Sequence, residues 1–218
     1  MHTEALMNLM RISDSFFPVG SFTVSQGMEQ FVADDLVTDS NLMSILEAYV
    51  NNIWVPLEMP IFKEALEAVI ENDLERLLAV DRLCYASKLT EEGRETSVKM
   101  GNNLISMVES SEIGNSFQNL VKDHSTPGTY PVSLAVLANE LKIDDAGEYS
   151  LLYVNLMEIA AAMVRMGEID YLSAQNLVKS VITKISTPPP FGEEYQSFPL
   201  ADIESMRHEN SSNRMFMS

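Results

Sequence analysis

The apolar positions of this chain recur mainly at spacings of three and four, and no segment sustains the two-residue alternation of a half-buried strand. The pattern predicts a short first helix over 3–12. A second starts near Thr23 or Ser25 and runs to about Asp34. Asp39 or Ser40 is placed to cap a third, which continues through Tyr49 and Trp54 until Pro56 and Pro60 break and restart the chain. Asn72, with Glu75 three positions later, reads as a capping-box-like start for a helix over 73–88, with Leu74, Leu77 and Leu78 on one face. A helix over 90–110 follows. Its internal Gly93 and Gly101 lower intrinsic helicity, which points to close packing at one of them or to loose local order. The clearest helix spans 146–165. Asp145 caps it, Glu148 completes the box, and Tyr149, Leu152, Leu156, Ile159 and Met163 repeat along one face. Gly167 is placed to end it, and another helix covers 171–185.

The end of the chain differs in kind. STPPPFGEEYQSFP, at 186–199, cannot be helical throughout and reads as an extended or mobile loop. LADIESMRHENSSNRMFMS follows, apolar enough to dock but closing on polar residues, so that it is either frayed or ordered by a partner. The architecture that results is all-α: an irregular bundle of about ten helices in a single domain with a flexible C-terminal tail. The helical domain covers 1–185, the proline-rich loop 186–199 and the docking segment 200–218.

Composition narrows the function. Of 218 residues, 46% are hydrophobic, which suffices for a real core. The 32 acidic against 14 basic side chains give a formal net charge of -18. Such a surface repels phosphate backbones, which argues against nucleic acid and anionic membranes; it suits a partner with basic patches or one that delivers cations, and it also serves plain solubility. The single cysteine, Cys84, excludes an internal disulfide framework and fits a reducing, cytoplasmic setting; its helical surroundings favour a small buried side chain. The first residues lack the apolar core of a signal peptide. The most apolar run, LLYVNLMEIAAAMV at 151–164, is interrupted by Asn155 and Glu158 and is shorter than the roughly 20 residues of a membrane span, so it reads as a buried helix.

Catalytic motifs fail one by one. No Gly-Lys dipeptide exists to close a phosphate-binding loop. TVSQG puts Thr23 where a nucleophile elbow needs its first glycine, and no strand precedes Ser25. The three histidines, His2, His124 and His208, lie far apart. His208-Glu209 begins like a zinc-protease helix, but Ser212 stands at the position of the second histidine. His208 is at most a weak metal candidate at an interface with another chain; a surface or capping histidine is the favoured reading. Methionines such as Met157, Met163 and Met166 fall at helical spacing and read as adaptable core or contact residues. Carboxylate pairs such as Glu91-Glu92 and Glu193-Glu194 have no evident apolar setting to tune them and read as solvated faces. The residues themselves therefore describe an acidic, helical interaction protein without an active site.

Four separated stretches, taken together, resemble the urease accessory protein UreF family. FPVGSFTVSQGMEQFV at the opening is close to that family's FPVG-F-S-x-S-x-G-x-E signature, and GRETSVKMGNNLI at 93–105 is like its Arg-Glu-x-Ser-x-x-x-Gly helix. AAMVRMG at 161–167 resembles its Ala-x-Val-Arg-Leu-Gly segment, and DIESMRHENSSNRMFMS looks like its Met-Arg-His-Glu and Arg-Leu-Phe-x-Ser terminus. Thr23 stands for a common serine or tyrosine, and Met166 and Met215 stand for leucines. The polar Ser211, Ser212 and Asn213 depart further and bear on how the tail docks.

The resemblance implies an all-α, non-enzymatic chaperone in nickel insertion into urease. It implies a homodimer that sits between UreD (UreH in some systems) and the GTPase UreG and acts with them on the urease apoprotein. No cofactor is bound stably; Ni2+ passes through the assembly. By residue, the resemblance places Phe17, Pro18, Gly20, Phe22, Ser25, Gly27 and Glu29 in a surface offered to the GTPase and the dimer. The plainer reading is that Pro18 and Gly20 fix a turn, Phe17 and Phe22 anchor it and Ser25 caps a helix. Arg165 suits the C-terminal end of its helix dipole or a partner contact. Met206, Arg207, His208, Arg214 and Phe216 carry the terminal signature, which the resemblance docks on UreD. A helical binding module for another client fits the same acidic helices.

Overall fold

The computed structural model describes residues 2–109, 111–211 and 214–216, and the side chain of Phe22 lies outside that description. In chain order its α-helices are α1 (Thr3–Ile12), α2 (Met28–Ala33), α3 (Leu42–Tyr49), α4 (Met59–Ile70), α5 (Leu74–Ser87) and α6 (Glu91–Ile105). They continue as α7 (Glu112–Lys122), α8 (Tyr130–Glu140), α9 (Gly147–Met166), α10 (Tyr171–Ile182) and α11 (Pro199–Glu209). Among the described residues there is no strand, as the periodicity predicts.

The organising element is α8, which no periodicity announced. Tyr130 through Ala138 are all buried, so the helix has no polar stripe and fills the centre of the core against α4 and α6. Its approach to α6 depends on Gly101: a Cβ there would lie 2.1 Å from the carbonyl oxygen of Gly128. Close packing is therefore the reason for that glycine. Gly93 instead sits over its own helix cap, Thr90, whose hydroxyl accepts from the Gly93 N–H at 3.1 Å. The α7–α8 turn is held from α5 by the buried carboxylate of Asp81, which accepts from Thr126, Gly128 and Thr129.

Several boundaries differ from the sequence pattern. Pro56 and Pro60 do not interrupt the chain. Residues Val50–Glu58 form a π-helical segment joining α3 to α4, and Pro60 falls in the first turn of α4, where a missing N–H costs little. The third helix is preceded by Asn41 rather than capped by Asp39 or Ser40, and Asp73, not Asn72, caps α5 by accepting from the Arg76 N–H at 3.0 Å. Before α9 a 3-10 turn, Asp144–Ala146, removes Asp145 from capping position, and the buried Glu148 pairs with Lys63 at 2.9 Å. Tyr149 points outward, whereas Leu152, Leu156, Ile159 and Met163 are buried. Gly167 ends α9 as predicted: it has φ +84°, and the Glu168 N–H donates back to the Met163 carbonyl at 3.0 Å.

The proline-rich stretch is extended and tied down. The Ser197 N–H donates to the Asn52 carbonyl at 2.9 Å and the Tyr195 N–H to the Pro56 carbonyl at 3.1 Å. Those two carbonyls lie four residues upstream of Pro56 and Pro60, the residues with no N–H to return. The strap then delivers Phe198 onto Phe31 and Tyr49, with ring centroids 6.4 and 5.2 Å apart, and α11 begins.

Candidate functional site

The four motif stretches meet at one place. The opening loop turns at Gly20, with φ +89°, where the Thr23 hydroxyl and N–H both donate to the Gly20 carbonyl. Asn103 of α6 pins the loop by donating to the Val19 carbonyl at 3.0 Å. Phe17 is buried under the Arg11 guanidinium, Pro18 is exposed, and the neighbouring Phe16 stands almost wholly in solvent. Ser25 is buried but does not cap α2: Gly27, at φ +81°, occupies that position, and Ser25 Oγ only approaches the Glu29 N–H at 3.5 Å. Gly27 is tight for another reason, because a Cβ there would stand 3.4 Å from the backbone nitrogen of Ser205 on α11.

Helix α11 lies on α2 and α6 with its polarity inverted. Glu204 and His208 face inward and are about 1% exposed, whereas Leu200, Ile203 and Met206 are 41–51% exposed. A histidine read as a surface or capping group is thus a buried one, with an acid on each side. Its Nδ1 lies 2.8 Å from Oε1 of Glu92 and its Nε2 3.0 Å from Oε2 of Glu29. The Glu92 bond, and then that of Glu29, raise its pKa against the opposing effect of burial. Both ring nitrogens thus face carboxylate oxygens, and a ring that donates from both has no lone pair left for a metal. Among the described residues no group of three or more His, Cys, Asp or Glu is arranged to hold one.

The chain end returns to the same two acids. Glu29 Oε1 accepts from the Met215 N–H at 2.7 Å and Oε2 from the Phe216 N–H at 3.0 Å. These bonds, with His208, hold the Glu29 carboxyl below its ordinary range although burial opposes them. Arg214 Nη1 donates to Glu92 at 3.2 Å, and its other nitrogens to the carbonyls of Ser211 and Glu209. Phe216 is buried beneath the Arg165 guanidinium, 4.3 Å from its ring centre. Arg207 reaches Asp34 at 2.5 Å, and Asp34 shares a hydrogen bond with Glu204. In this chain, then, the described tail residues are ordered against their own domain, and Arg214 has internal partners.

Two acids to which the pattern gave no role are central here. Glu92 is 5% exposed rather than part of a solvated pair, and its N–H is in turn capped by Glu209 of α11 at 3.1 Å. Glu158, which interrupts the apolar run of α9, is buried beside a second polar cluster. Gln26 donates to it at 2.9 Å, and Asn155 donates to Glu58, which pairs with Lys88. Burial, with the Glu58 carboxylate near, pushes Glu158 up to about 8 against the Gln26 bond. Gln26, Glu58, Lys88, Tyr130 and Asn155 line a cavity of about 70 Å3 that also reaches Gly27 and Ser205, so the opening loop separates the two clusters. Among the described residues no helix is long and apolar enough to cross a membrane.

A sequence model of the family described as UreF matches residues 37–182, more than half of the chain. The urease accessory protein UreF of Actinobacillus pleuropneumoniae is 28% identical over 224 residues, covering 96% of this chain and 97% of that protein. The urease accessory protein UreF 1 of Brucella melitensis biotype 1 is 27% identical, covering 98% and 92%. The motif stretches, their convergence in an all-helical fold and near full-length similarity agree: this chain belongs to the UreF family of urease accessory proteins.

Proposed function

We propose that this protein is a cytoplasmic, non-enzymatic scaffold for nickel insertion into the urease apoprotein, dimeric, linking the GTPase UreG to UreD (UreH), with nickel as passing cargo. The names of its relatives support a role in urease maturation. The observation that carries the partner assignment is the inverted helix α11. A helix that buries Glu204 and His208 while presenting Leu200, Ile203 and Met206 is seated largely through polar contacts inward, and it leaves an apolar row for another protein. In this proposal UreD covers that row, and the loop from Phe17 to Glu29, which fixes the seat of α11, transmits its position to the face offered to UreG.

The test is a pair of outward substitutions, Ile203→Glu with Met206→Glu. Both side chains are exposed, so the fold should survive, and cognate UreD should no longer co-purify. Undiminished capture of UreD would remove α11 from the interface. The broader role is tested by urea turnover in a strain lacking its own UreF and supplied with this chain and its cognate partners; no restored turnover would reject it.

A further inference from the structure

The seat of α11 is rich in ionisable groups, and one of them is a buried histidine. His208 is the sole contact that joins α11 to α2 and α6 at once among the hydrogen bonds described above, through Glu29 on one ring nitrogen and Glu92 on the other. A neutral imidazole has one N–H and one lone pair. In this seat the lone pair would face a carboxylate oxygen about 3 Å away, so only the doubly protonated ring satisfies both acids.

The surrounding charges do not replace it. From α2 the groups facing this region are Glu29 and, at the helix end, Asp34; from α6 it is Glu92; from the tail it is Arg214, already bonded to Glu92. On α11 itself Arg207 is engaged with Asp34 and Glu204, and Glu209 is a further acid at the α6 N-terminus. Loss of the imidazolium would leave Glu29 only the Met215 and Phe216 N–H groups or Glu92 only Arg214, and would end the one side-chain link that bonds both acids to α11. The larger apolar side chains of α11, Leu200, Ile203 and Met206, cannot compensate, because they face outward; only the small Ala201 is buried.

We propose that α11 is a pH-sensitive latch: it is seated while His208 is an imidazolium and loosens as the ring loses its proton. This goes beyond the scaffold role and does not depend on which protein covers the outer face. The sign follows from linkage. The seated ring has a raised pKa and the released ring an ordinary one. Seating is therefore fully supported below about pH 6.5 and is lost as pH rises through the higher, seated value. Asp34 is held below its ordinary range by hydrogen bonding and by Arg207, whereas burial pushes Glu204 up, so the His208 variant separates the ring from these two acids. Opening of α11 would release the row that carries Leu200, Ile203 and Met206 together with the tail seat.

Amide hydrogen exchange on the full chain tests this, comparing residues 199–209 with α8 as an internal reference at about pH 6.5 and about pH 9 after correction for intrinsic rates. The opening equilibrium of α11 should rise across that window, by at most about tenfold per pH unit, while α8 stays level. His208→Gln should exchange fast at both values, with the slope gone. Equal corrected exchange in the unaltered protein, or a retained slope in the variant, overturns the proposal. Should the variant fail to fold, the 15N resonances of the His208 ring in the unaltered protein decide it: a neutral ring at pH 7 is incompatible with the latch.

Discussion

Oδ1 of Asp81 accepts from both the N–H and the hydroxyl of Thr129, each at 2.7 Å. Its Oδ2 accepts from the Thr126 hydroxyl at 2.6 Å and the Gly128 N–H at 2.8 Å. One carboxylate thereby closes the turn that starts the central helix. Asp81→Asn replaces an acceptor by an NH2 that must face donors already in place. It should destabilise the protein by about 2–3 kcal/mol, the range for a buried bond to a charged group. Urea unfolding followed by the buried Trp54 measures it, and a loss below about 0.5 kcal/mol would mean the turn holds without the acid.

Two glycines give opposite tests of space and conformation. Gly101→Ala drives a methyl into the backbone of residues 128 and 129 and should destabilise by about 3 kcal/mol or more. Gly167→Ala meets nothing within 4 Å, and only its φ of +84° opposes it, so about 1 kcal/mol is expected. Thermal unfolding of both variants compares them; equal shifts would contradict the packing account.

Burial pushes the Cys84 thiol up to about 12, and Lys88 only partly offsets it. Iodoacetamide at pH 8 should therefore leave the native protein unlabelled, and labelling should follow the urea transition. Rapid native labelling would show the α5 face to be open.

Glu158 keeps in the folded state, up to about pH 8, a proton that its unfolded form releases near 4.5. Its contribution to stability accordingly falls as pH rises through that interval and is level above it. Glu158→Gln, which mimics the protonated acid, should gain on the unaltered chain across the same interval by at most about 1.4 kcal/mol per pH unit. Unfolding curves at several pH values read the difference directly; parallel curves would place the charge in solvent.

Features with a local chemical cause were legible in the sequence. Gly167 ends α9 because only a left-handed residue closes that hydrogen-bond pair, and Cys84 is buried because it shares the inner face of α5 with Leu77 and Val80. Helix α8 was not legible, because YPVSLAVLA is apolar on every side and so has no period to detect. The apolar run around Glu158 did place that acid in a buried helix, but pattern could not separate Glu92 from the other acids, because its partner His208 is 116 positions away. Pro56 and Pro60 misled for a related reason. Their effect on the helix depended on donors some 140 positions later. The motif stretches were recognisable, but their common meeting place required the fold.

The strap from Tyr195 to Ser197 has one more consequence. Two donors two residues apart in extended chain, roughly 6.6 Å, meet two carbonyls four residues apart on the π-helical segment. The prolines of one segment and the pleat of the other thus form a ruler read by backbone alone. Such a joint is blind to side-chain identity and intolerant of length. A single inserted residue between 195 and 197 would put one amide out of step and shift α11 against its seat, to which Gln196 is also tied through Asp202 at 2.9 Å.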